Sequence, residues 1–304
     1  MTDQTLLIDQ INRYKKEKNA VLLAHNYQRA EVQAIADYLG DSLELAQLSR
    51  SLPHDTIVFC GVHFMAESAA LLAPDKTVLL PVIDAGCPLA DCATPQMVKE
   101  MRKKHPNAVF IAYINTSAAV KAESDVVCTS ANAFTIIKHF SDRPICYLPD
   151  KNLAAYASHQ LGIDIIPWPG QCLVHDKLIT ADHLIKLKKK YPEALVMAHP
   201  EAPLNVLEYA DVIIGTGGMI KLAKSSERMS FIVVTENGLV HRLRNENPGK
   251  TFIEIHQAVC AQMKMTTLES IHEALKFDRY KITVPDTVAA GALRALEKML
   301  ELTP

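Results

Sequence analysis

The sequence predicts an α/β protein made of three pseudo-symmetric, three-layer αβα domains with parallel sheets. One pattern occurs three times, in residues 11–28, 98–116 and 185–202. In each copy a helical segment with a basic end precedes an apolar run that ends in polar residues. Two further apolar runs follow each copy, separated by helical segments. Apolar runs that alternate with helical patterns are typical of parallel strands covered by helices on both faces.

The elements come in the same order in each copy, which is interpreted as a helix followed by β-α-β-α-β. The first apolar run leads to three equivalent positions, His25, Tyr113 and His199, which are 88 and 86 residues apart. The second runs are TIVFCGV, PICYLP and SFIVVT. The third runs are TVLLPVIDAGC, GIDIIPWPGQC and TFIEIHQAVC, and each ends on a cysteine. This regular spacing predicts three similar units.

The domain boundaries follow from the helix signals after each cysteine. Thr94, Thr180 and Thr267 are good N-cap residues, and Pro95 suits the first turn of a helix. The expected domains are residues 1–93, 94–179 and 180–304, and they should pack tightly because no Pro/Gly/Ser-rich linker separates them. The segment DTVAAGALRALEKML has apolar residues at helical spacing and is predicted to be a C-terminal closing helix.

Composition argues against several classes of protein. The chain has 304 residues, of which 49% are hydrophobic, and a formal net charge of −2. It has no basic tract and no apolar run near the roughly 18 residues that span a bilayer, so nucleic acids and membranes are not expected partners. The N-terminal segment resembles a polar amphipathic helix rather than a signal peptide. Seven scattered cysteines argue against a secreted disulfide framework, so we expect a cytoplasmic protein.

The repeat separates the cysteines into two groups. Cys87, Cys172 and Cys260 occupy equivalent positions, 85 and 88 residues apart, whereas the other four have no cysteine counterpart. Functional groups of parallel α/β units collect at the carboxyl ends of the strands, so three such units could bring these three thiols to one centre.

Three converging thiolates are compatible with more than one kind of site. An iron–sulfur cluster normally takes four cysteines, and a cluster held by three would leave one iron open to substrate. A zinc ion with three thiolates and one open position is also chemically allowed. The alternative without a metal is that equivalent cysteines fill equivalent packing positions as small hydrophobic residues. Packing is the favoured role for Cys60 and Cys146, which lie inside apolar runs.

Polar residues follow the first strand of every copy. His25 is followed by Asn26 and Tyr27, and the other copies place Tyr113 with Asn115 and His199 with Glu201. A single histidine at a strand end is more often structural than catalytic, but polar groups in all three copies favour a site. His199 and Glu201 form a candidate acid–base pair.

Hydroxyl residues follow at equivalent positions, Ser42, Ser130 and Thr216. A hydroxyl and free N–H groups at a helix start favour phosphate or carboxylate, although simple N-capping is the alternative. Five residues before them stand Asp37, Asp125 and Asp211, for which we predict a structural role at the turn.

Nine blocks of the sequence, in order, resemble the quinolinate synthase family, the A component of de novo NAD biosynthesis in bacteria and archaea. The resemblance extends from about residue 12 to residue 300 and includes the three equivalent cysteines. The blocks are LAHNYQ, GVHFMAE, AGCPLADC, FIAYINTS, YLPDKNLA, WPGQCLVHD, VMAHPEAP, GTGGMI and CAQMKMTTLE.

The resemblance implies that the three domains surround a central [4Fe–4S] cluster. Its ligands would be Cys87, Cys172 and Cys260, and the fourth iron would be open to substrate and act as a Lewis acid. The implied reaction condenses iminoaspartate with dihydroxyacetone phosphate to quinolinate, with loss of phosphate and water. An aspartate oxidase or dehydrogenase that makes iminoaspartate is the implied upstream partner.

The resemblance also implies roles for the polar residues. Glu201 is the expected proton shuttle with support from His199, and His175 is a weaker candidate for a proton relay. The expected catalytic residues are Tyr27, Tyr113, His199 and Glu201. The expected substrate-binding residues are His25, Ser42, Tyr113, Asn115, Ser130, His175, His199, Glu201 and Thr216.

Two other functions remain as alternatives, an electron-transfer iron–sulfur protein and a zinc-dependent hydrolase. An electron carrier does not need a rim of acids, histidines and hydroxyls, and the repeat provides no fourth cysteine. A hydrolase could use the same three thiolates to hold zinc.

Overall fold

The computed structural model describes residues 3–303, in which twelve strands form three four-stranded sheets. All the strand pairs of these sheets are parallel. The first sheet contains β1 (Ala20–His25), β2 (Tyr38–Gly40), β3 (Thr56–Cys60) and β4 (Thr77–Leu79). The second contains β5 (Val109–Tyr113), β6 (Val126–Cys128), β7 (Ile145–Leu148) and β8 (Ile165–Pro167). The third contains β9 (Leu195–Ala198), β10 (Val212–Ile213), β11 (Ser230–Val234) and β12 (Thr251–Glu254).

The three sheets share one strand order: β2-β1-β3-β4, β6-β5-β7-β8 and β10-β9-β11-β12. The predicted α/β class with three parallel sheets is therefore confirmed. The β-α-β-α-β interpretation is wrong in one respect, because each sheet has four strands instead of three. The missed strands, β2, β6 and β10, have two or three residues each and lie at sheet edges. Strands this short give no alternating or continuous apolar pattern.

Helices cover the sheets, and three of them start where the sequence predicts. The side chains of Thr94, Thr180 and Thr267 accept hydrogen bonds from backbone N–H groups of the helices that follow them. The helices of the described residues are α1 (Asp3–Glu17), α2 (Ala30–Ile35), α3 (Ser42–Ser51), α4 (His63–Leu72), α5 (Pro95–Lys104), α6 (Ala118–Ala122), α7 (Ala133–His139), α8 (Lys151–Leu161), α9 (Ala181–Lys190), α10 (Leu204–Leu207), α11 (Thr216–Ser225), α12 (Gly238–Glu246), α13 (Leu268–Phe277) and α14 (Asp286–Leu302).

Three equivalent aspartates fasten the edge strands to the sheets. A carboxylate oxygen of Asp37, Asp125 and Asp211 accepts the N–H of a first-strand residue at 2.7, 2.7 and 2.8 Å, respectively. The backbone N–H of each aspartate donates to the carbonyl of the same first-strand residue. The predicted structural role at this turn therefore has a definite form, a two-bond clamp at the start of each edge strand.

The core lies on both faces of each sheet. Every residue of β1, β3, β5 and β7 is buried, as expected for parallel strands with helices on both sides. The continuous apolar runs seen in the sequence are thus explained by burial on two faces rather than one.

The last two helices connect the three sheets. Although α13 follows the third sheet in sequence, it packs against α1 and β3, and its Ile271 and Leu275 belong to a core cluster with Ile11. The predicted closing helix, α14, packs against α6 and β6 of the second sheet. A Cβ at Gly291 would lie 3.0 Å from the Ala122 carbonyl oxygen, so these two helices approach closely. The range predicted for the third domain therefore includes helices that pack on the other two.

None of the helices within residues 3–303 combines the length and the apolar character that a bilayer crossing requires.

Candidate active site

One cavity receives residues from all three sheets. The carboxyl ends of β1, β5 and β9 open into it, as do the turns that follow each third apolar run. Parallel sheets place their binding residues at this end. Its lining includes every residue that the sequence singled out for the site: His25, Tyr27, Ser42, Cys87, Tyr113, Asn115, Ser130, Cys172, His175, His199, Glu201, Thr216 and Cys260.

Two equivalent histidines are held in the same tautomer. Nδ1 of His25 accepts the N–H of Tyr27 at 3.2 Å, and Nδ1 of His199 accepts the N–H of Glu201 at 3.3 Å. Burial, with the nearby His199, lowers the pKa of His25 to about 3. Burial likewise lowers the pKa of His199 to about 3, against the opposing charge of Glu201. Both rings are therefore neutral at pH 7, with Nδ1 accepting and the Nε2–H free to donate to an anion.

Tyr113 occupies the equivalent position in the second unit and contacts Glu201. Its phenol donates a short hydrogen bond to Oε1 of the Glu201 carboxylate. Burial and the charge of Glu201 raise the pKa of Tyr113 well above its ordinary value, so the phenol keeps its proton. Tyr113 is thus a fixed donor that orients the carboxylate.

The second oxygen of Glu201 begins a chain of hydrogen bonds. Nδ1 of His175 lies 3.0 Å from Oε2 of Glu201, and Nε2 of His175 lies 2.9 Å from the hydroxyl of Thr235. The Thr235 oxygen lies 2.6 Å from the phenol of Tyr27. A consistent set of donors runs from the Tyr27 phenol to Thr235, from Thr235 to His175, and from His175 to the carboxylate.

Glu201 stays ionised within this network. Burial alone would raise the pKa of Glu201, but the hydrogen bonds that its carboxylate accepts from His175 and Tyr113 help to hold the pKa below its ordinary value. Nδ1 of His199 is 3.8 Å from the carboxylate and already accepts a backbone N–H. Of the two histidines beside Glu201, the one that is hydrogen-bonded to the carboxylate is therefore His175, for which the sequence offered only the weaker case.

The three hydroxyl residues line the cavity, and two of them lie at helix starts without capping those helices. Asp41 caps α3 by accepting the N–H groups of Leu43 and Glu44, and Gly215 is the N-cap of α11. Ser42 and Thr216 are instead the first residues of these helices. The simple capping alternative therefore does not explain them. Their position beside helix N-termini favours a negatively charged ligand.

Two glycines allow these helix starts to meet. A Cβ at Gly215 would lie 2.7 Å from Oγ of Ser130, and one at Gly217 would lie 2.7 Å from Oδ2 of Asp41. A side chain at either position of the block GTGGMI would therefore displace a side-chain oxygen of another unit.

The three equivalent cysteines all line the cavity. Each is partly buried and free, and each follows the third apolar run of its unit. Burial raises the pKa of the Cys87 thiol to about 12, and it also raises the pKa values of Cys172 and Cys260. Backbone N–H groups of the turns that follow, including those of Ala90, His175 and Met263, face the sulfurs and act in the opposite direction.

This donor set fits an iron–sulfur cluster. Burial disfavours a bare thiolate, so an iron bound to each sulfur would compensate for the loss of its proton. Backbone N–H groups directed at cysteine sulfurs are a usual way to stabilise cluster ligands. Cys87, Cys172 and Cys260 would be the residues that hold the group.

The remaining cysteines do not line the cavity. Cys60, Cys128 and Cys146 are fully buried within strands. Cys92 packs against Gly170, where an added Cβ would lie 2.7 Å from the Cys92 Cβ. The three cysteines at equivalent positions of the repeat thus line the cavity, and the four without a counterpart lie outside it.

A smaller group could hold a single ion. Ligand atoms of Cys172, His175 and Glu201 lie within 4.8 Å of one another. Both ring nitrogens of His175 already take part in hydrogen bonds to Glu201 and Thr235. A metal at this group would have to replace at least one of these bonds.

Sequence reasoning missed three residues around the cavity. Thr235 ends the apolar run SFIVVT and links Tyr27 to His175. Asp150 and Glu236 are buried acids, each two residues beyond the end of a strand. Their spacing of 86 residues matches the repeat, a signal that could have found them.

Comparison with known proteins shows which family the chain belongs to. A family model described as "Quinolinate synthetase A protein" matches residues 9–301. The chain belongs to the quinolinate synthase family. It is therefore an enzyme of pyridine nucleotide biosynthesis.

Curated relatives in this family match over nearly their whole length. A quinolinate synthase of Methanoregula boonei is 48% identical over 303 residues, which cover 99% of this chain and 100% of the relative. The quinolinate synthase of Caldicellulosiruptor saccharolyticus is 47% identical, with 97% of both chains covered. That of Methanosarcina barkeri is 48% identical, with 98% of both covered. Nearly the whole chain therefore takes part in the similarity.

Proposed function

We propose that the protein condenses iminoaspartate with dihydroxyacetone phosphate to form quinolinate, with loss of phosphate and water. The observation that carries the proposal is the single cavity in which three cysteines meet two neutral histidines and an ionised glutamate. Both substrates are anionic small molecules, and the helix starts at Ser42 and Thr216 suit such charges.

Substrate binding is assigned to the donors that face the cavity. The Nε2–H groups of His25 and His199 would donate to carboxylate or phosphate oxygens, since the Nδ1 atoms already accept backbone N–H groups. Neutral imidazoles give directed hydrogen bonds without adding a titrating charge near pH 7. Ser42, Ser130, Asn115 and Thr216 would supply further polar contacts around the same ligand.

Proton transfer is assigned to Glu201. The ionised carboxylate can accept a proton, and Tyr113 and His175 hold its two oxygens. The chain through His175 and Thr235 to Tyr27 offers a path by which a proton could be exchanged across the cavity. General acid–base groups must lie within hydrogen-bond reach of one another and of substrate, which this arrangement satisfies on the protein side.

The cofactor of the proposal is a [4Fe–4S] cluster held by Cys87, Cys172 and Cys260. When bound, its open iron would supply Lewis-acid chemistry that polarises a hydroxyl or carbonyl oxygen of substrate. The chain's own residues would then orient the substrate, exclude water and move protons. Iminoaspartate would be supplied by an aspartate oxidase or dehydrogenase.

The direct test is anaerobic conversion of iminoaspartate and dihydroxyacetone phosphate. Protein purified and reconstituted without oxygen should form a product with the ultraviolet absorbance and chromatographic retention of quinolinate. Omission of either substrate is the control. No quinolinate from fully reconstituted protein would refute the proposal.

A second candidate is a zinc-dependent hydrolase, which the tight Cys172, His175 and Glu201 group favours. Metal analysis after anaerobic purification separates the two. We expect a brown protein that contains iron and sulfide and bleaches in air. A colourless protein with one equivalent of zinc and no iron would favour the hydrolase instead.

A further inference from the structure

Two buried acids contact the backbone of two of the three equivalent cysteines. Oδ2 of Asp150 accepts the N–H of Cys172 at 3.3 Å, and Oε1 of Glu236 accepts the N–H of Cys260 at 3.1 Å. Neither acid has measurable solvent exposure, at 0% each. A carboxylate is costly to bury, so its retention next to a cysteine needs a reason.

The two acids occupy the same position in their units. Each stands two residues beyond the strand that pairs with the first strand, since β7 ends at Leu148 and β11 ends at Val234. The equivalent position after β3, which ends at Cys60, is Val62. The first unit therefore has an apolar side chain where the other two have an acid.

A backbone contact common to all three units shows that these positions are equivalent in space. The N–H groups of His63, Lys151 and Asn237 donate to carbonyl groups two residues before Cys87, Cys172 and Cys260. Each donor directly follows Val62, Asp150 or Glu236 in sequence. The acids thus add a side-chain bond to a connection that the backbone already makes in every unit.

We propose that Asp150 and Glu236 are positioning residues, which hold the Cys172 and Cys260 loops in place for a metal centre. The proposal rests on the proposed function for the identity of that centre. Each carboxylate binds two chain segments at once: Asp150 also accepts the N–H of Leu153, and Glu236 also accepts the N–H of Gly238. The cysteine loop is thereby joined to the start of α8 or α12. Outer hydrogen bonds of this kind orient metal ligands.

Glu236 has a further connection that Asp150 lacks. Nζ of Lys264 lies 2.9 Å from Oε1 of Glu236 and donates to the carbonyl oxygen of Tyr27 at 2.6 Å. Lys264 thus connects Glu236 to the segment of the first unit that carries the Tyr27 phenol. Among the residues 3–303, no lysine or arginine lies within ion-pair distance of Asp150. Glu236, which holds the Cys260 loop, is therefore linked through Lys264 to the segment of Tyr27, whereas Asp150 has no such link.

A pure capping role is the competing explanation, and Asp150→Asn separates it from positioning. Asparagine caps a helix as well as aspartate does, so the bond to Leu153 can remain. The amide has only one oxygen, however, and it cannot also accept the N–H of Cys172. Asp41→Asn is the matched control, because the Asp41 carboxylate caps α3 by accepting the N–H groups of Leu43 and Glu44 rather than that of a cysteine.

Hydrogen exchange in the protein without metal tests positioning directly. The amide of Cys172 should exchange about tenfold faster in Asp150→Asn, and the amide of Cys260 about tenfold faster in Glu236→Gln, since each loses one hydrogen bond. Asp41→Asn should leave both amides unchanged. Unchanged exchange of the cysteine amides in both acid variants would overturn the proposal.

A second measurement uses the reconstituted protein. Iron release to an excess of chelator should be about 10- to 100-fold faster in Asp150→Asn and Glu236→Gln than in wild type or Asp41→Asn. Release at the wild-type rate from both acid variants would also overturn the proposal. If the wild-type protein takes up no iron, the proposed cofactor is wrong, whereas the exchange result still decides whether the acids hold the loops.

Discussion

The substitution Glu201→Gln tests whether Glu201 transfers protons during the reaction. The amide keeps the size of the side chain but removes the negative charge and one of the two acceptor oxygens. Oε1 can still accept from Tyr113, while the NH₂ group would face Nδ1–H of His175, now 3.0 Å from Oε2. The contact to His175 therefore becomes a donor facing a donor, and the relay to Thr235 and Tyr27 loses its end point.

The expected loss follows from the function assigned to the carboxylate. A positioned general acid or base contributes about 100- to 10,000-fold to a rate, equivalent to roughly 3 to 5.5 kcal/mol of transition-state stabilisation. We expect kcat for quinolinate formation to fall within this range. KM should change much less, because the anion-binding donors His25 and His199 keep their Nδ1 bonds to backbone groups.

The assay is anaerobic quinolinate formation at saturating substrate, with iron content measured on the same sample. Glu193→Gln, a matched change at an exposed position, should retain wild-type kcat. Iron content should be the same in both variants and in wild type. Wild-type turnover in Glu201→Gln with full iron content would refute the assignment of Glu201.

Three further predictions concern pH, packing and the relay. The pKa of His199 is about 3 in the folded protein and about 6.5 when unfolded, so the unfolded chain binds the extra proton and stability falls as pH drops from about 6.5 towards 3. When the pH is lowered from 7 to 5, wild type should lose about 2 kcal/mol more of its free energy of unfolding than His199→Gln does. Urea titrations at the two pH values measure this difference, and an equal loss of free energy in both proteins would contradict the prediction. Gly217→Ala should lower the free energy of unfolding by about 1 to 3 kcal/mol, because its Cβ would meet the capping carboxylate of Asp41. Gly249→Ala, where the added Cβ has open space, should change it by no more than about 0.5 kcal/mol. Equal shifts of the melting temperature in the two variants would show that the packing around Gly217 is looser than this. Tyr27→Phe removes the far end of the relay and should lower kcat less than Glu201→Gln does, and a larger loss would place Tyr27 closer to the chemistry.

Much of the architecture could be predicted because the three repeats have the same order of elements and nearly the same spacing of residues. Equivalent spacings identified Cys87, Cys172 and Cys260, and the structure brings all three to one cavity. The aspartates before the edge strands were visible for the same reason. The edge strands themselves were missed, since two or three residues leave no hydrophobic period to detect.

Features that depend on tertiary contacts were harder to predict. His175 has no counterpart that marks it, and its place between Glu201 and Thr235 depends on the fold of the turn after Cys172. Asp150 and Glu236 share the spacing of the repeat, but they contact backbone N–H groups, which leave no partner residue in the sequence to search for. The packing of α13 and α14 on other units is a property of tertiary structure, because an apolar helix face does not specify its partner.

The central claim is that three cysteines, one from each unit, hold the cofactor of this enzyme. The most direct measurement is iron and sulfide content after anaerobic reconstitution of single cysteine variants. Cys87→Ser, Cys172→Ser and Cys260→Ser should each lose the cluster and the activity, while Cys60→Ala, Cys92→Ser and Cys146→Ala should keep both. Full iron and sulfide content in any of the first three variants would contradict the three-ligand site.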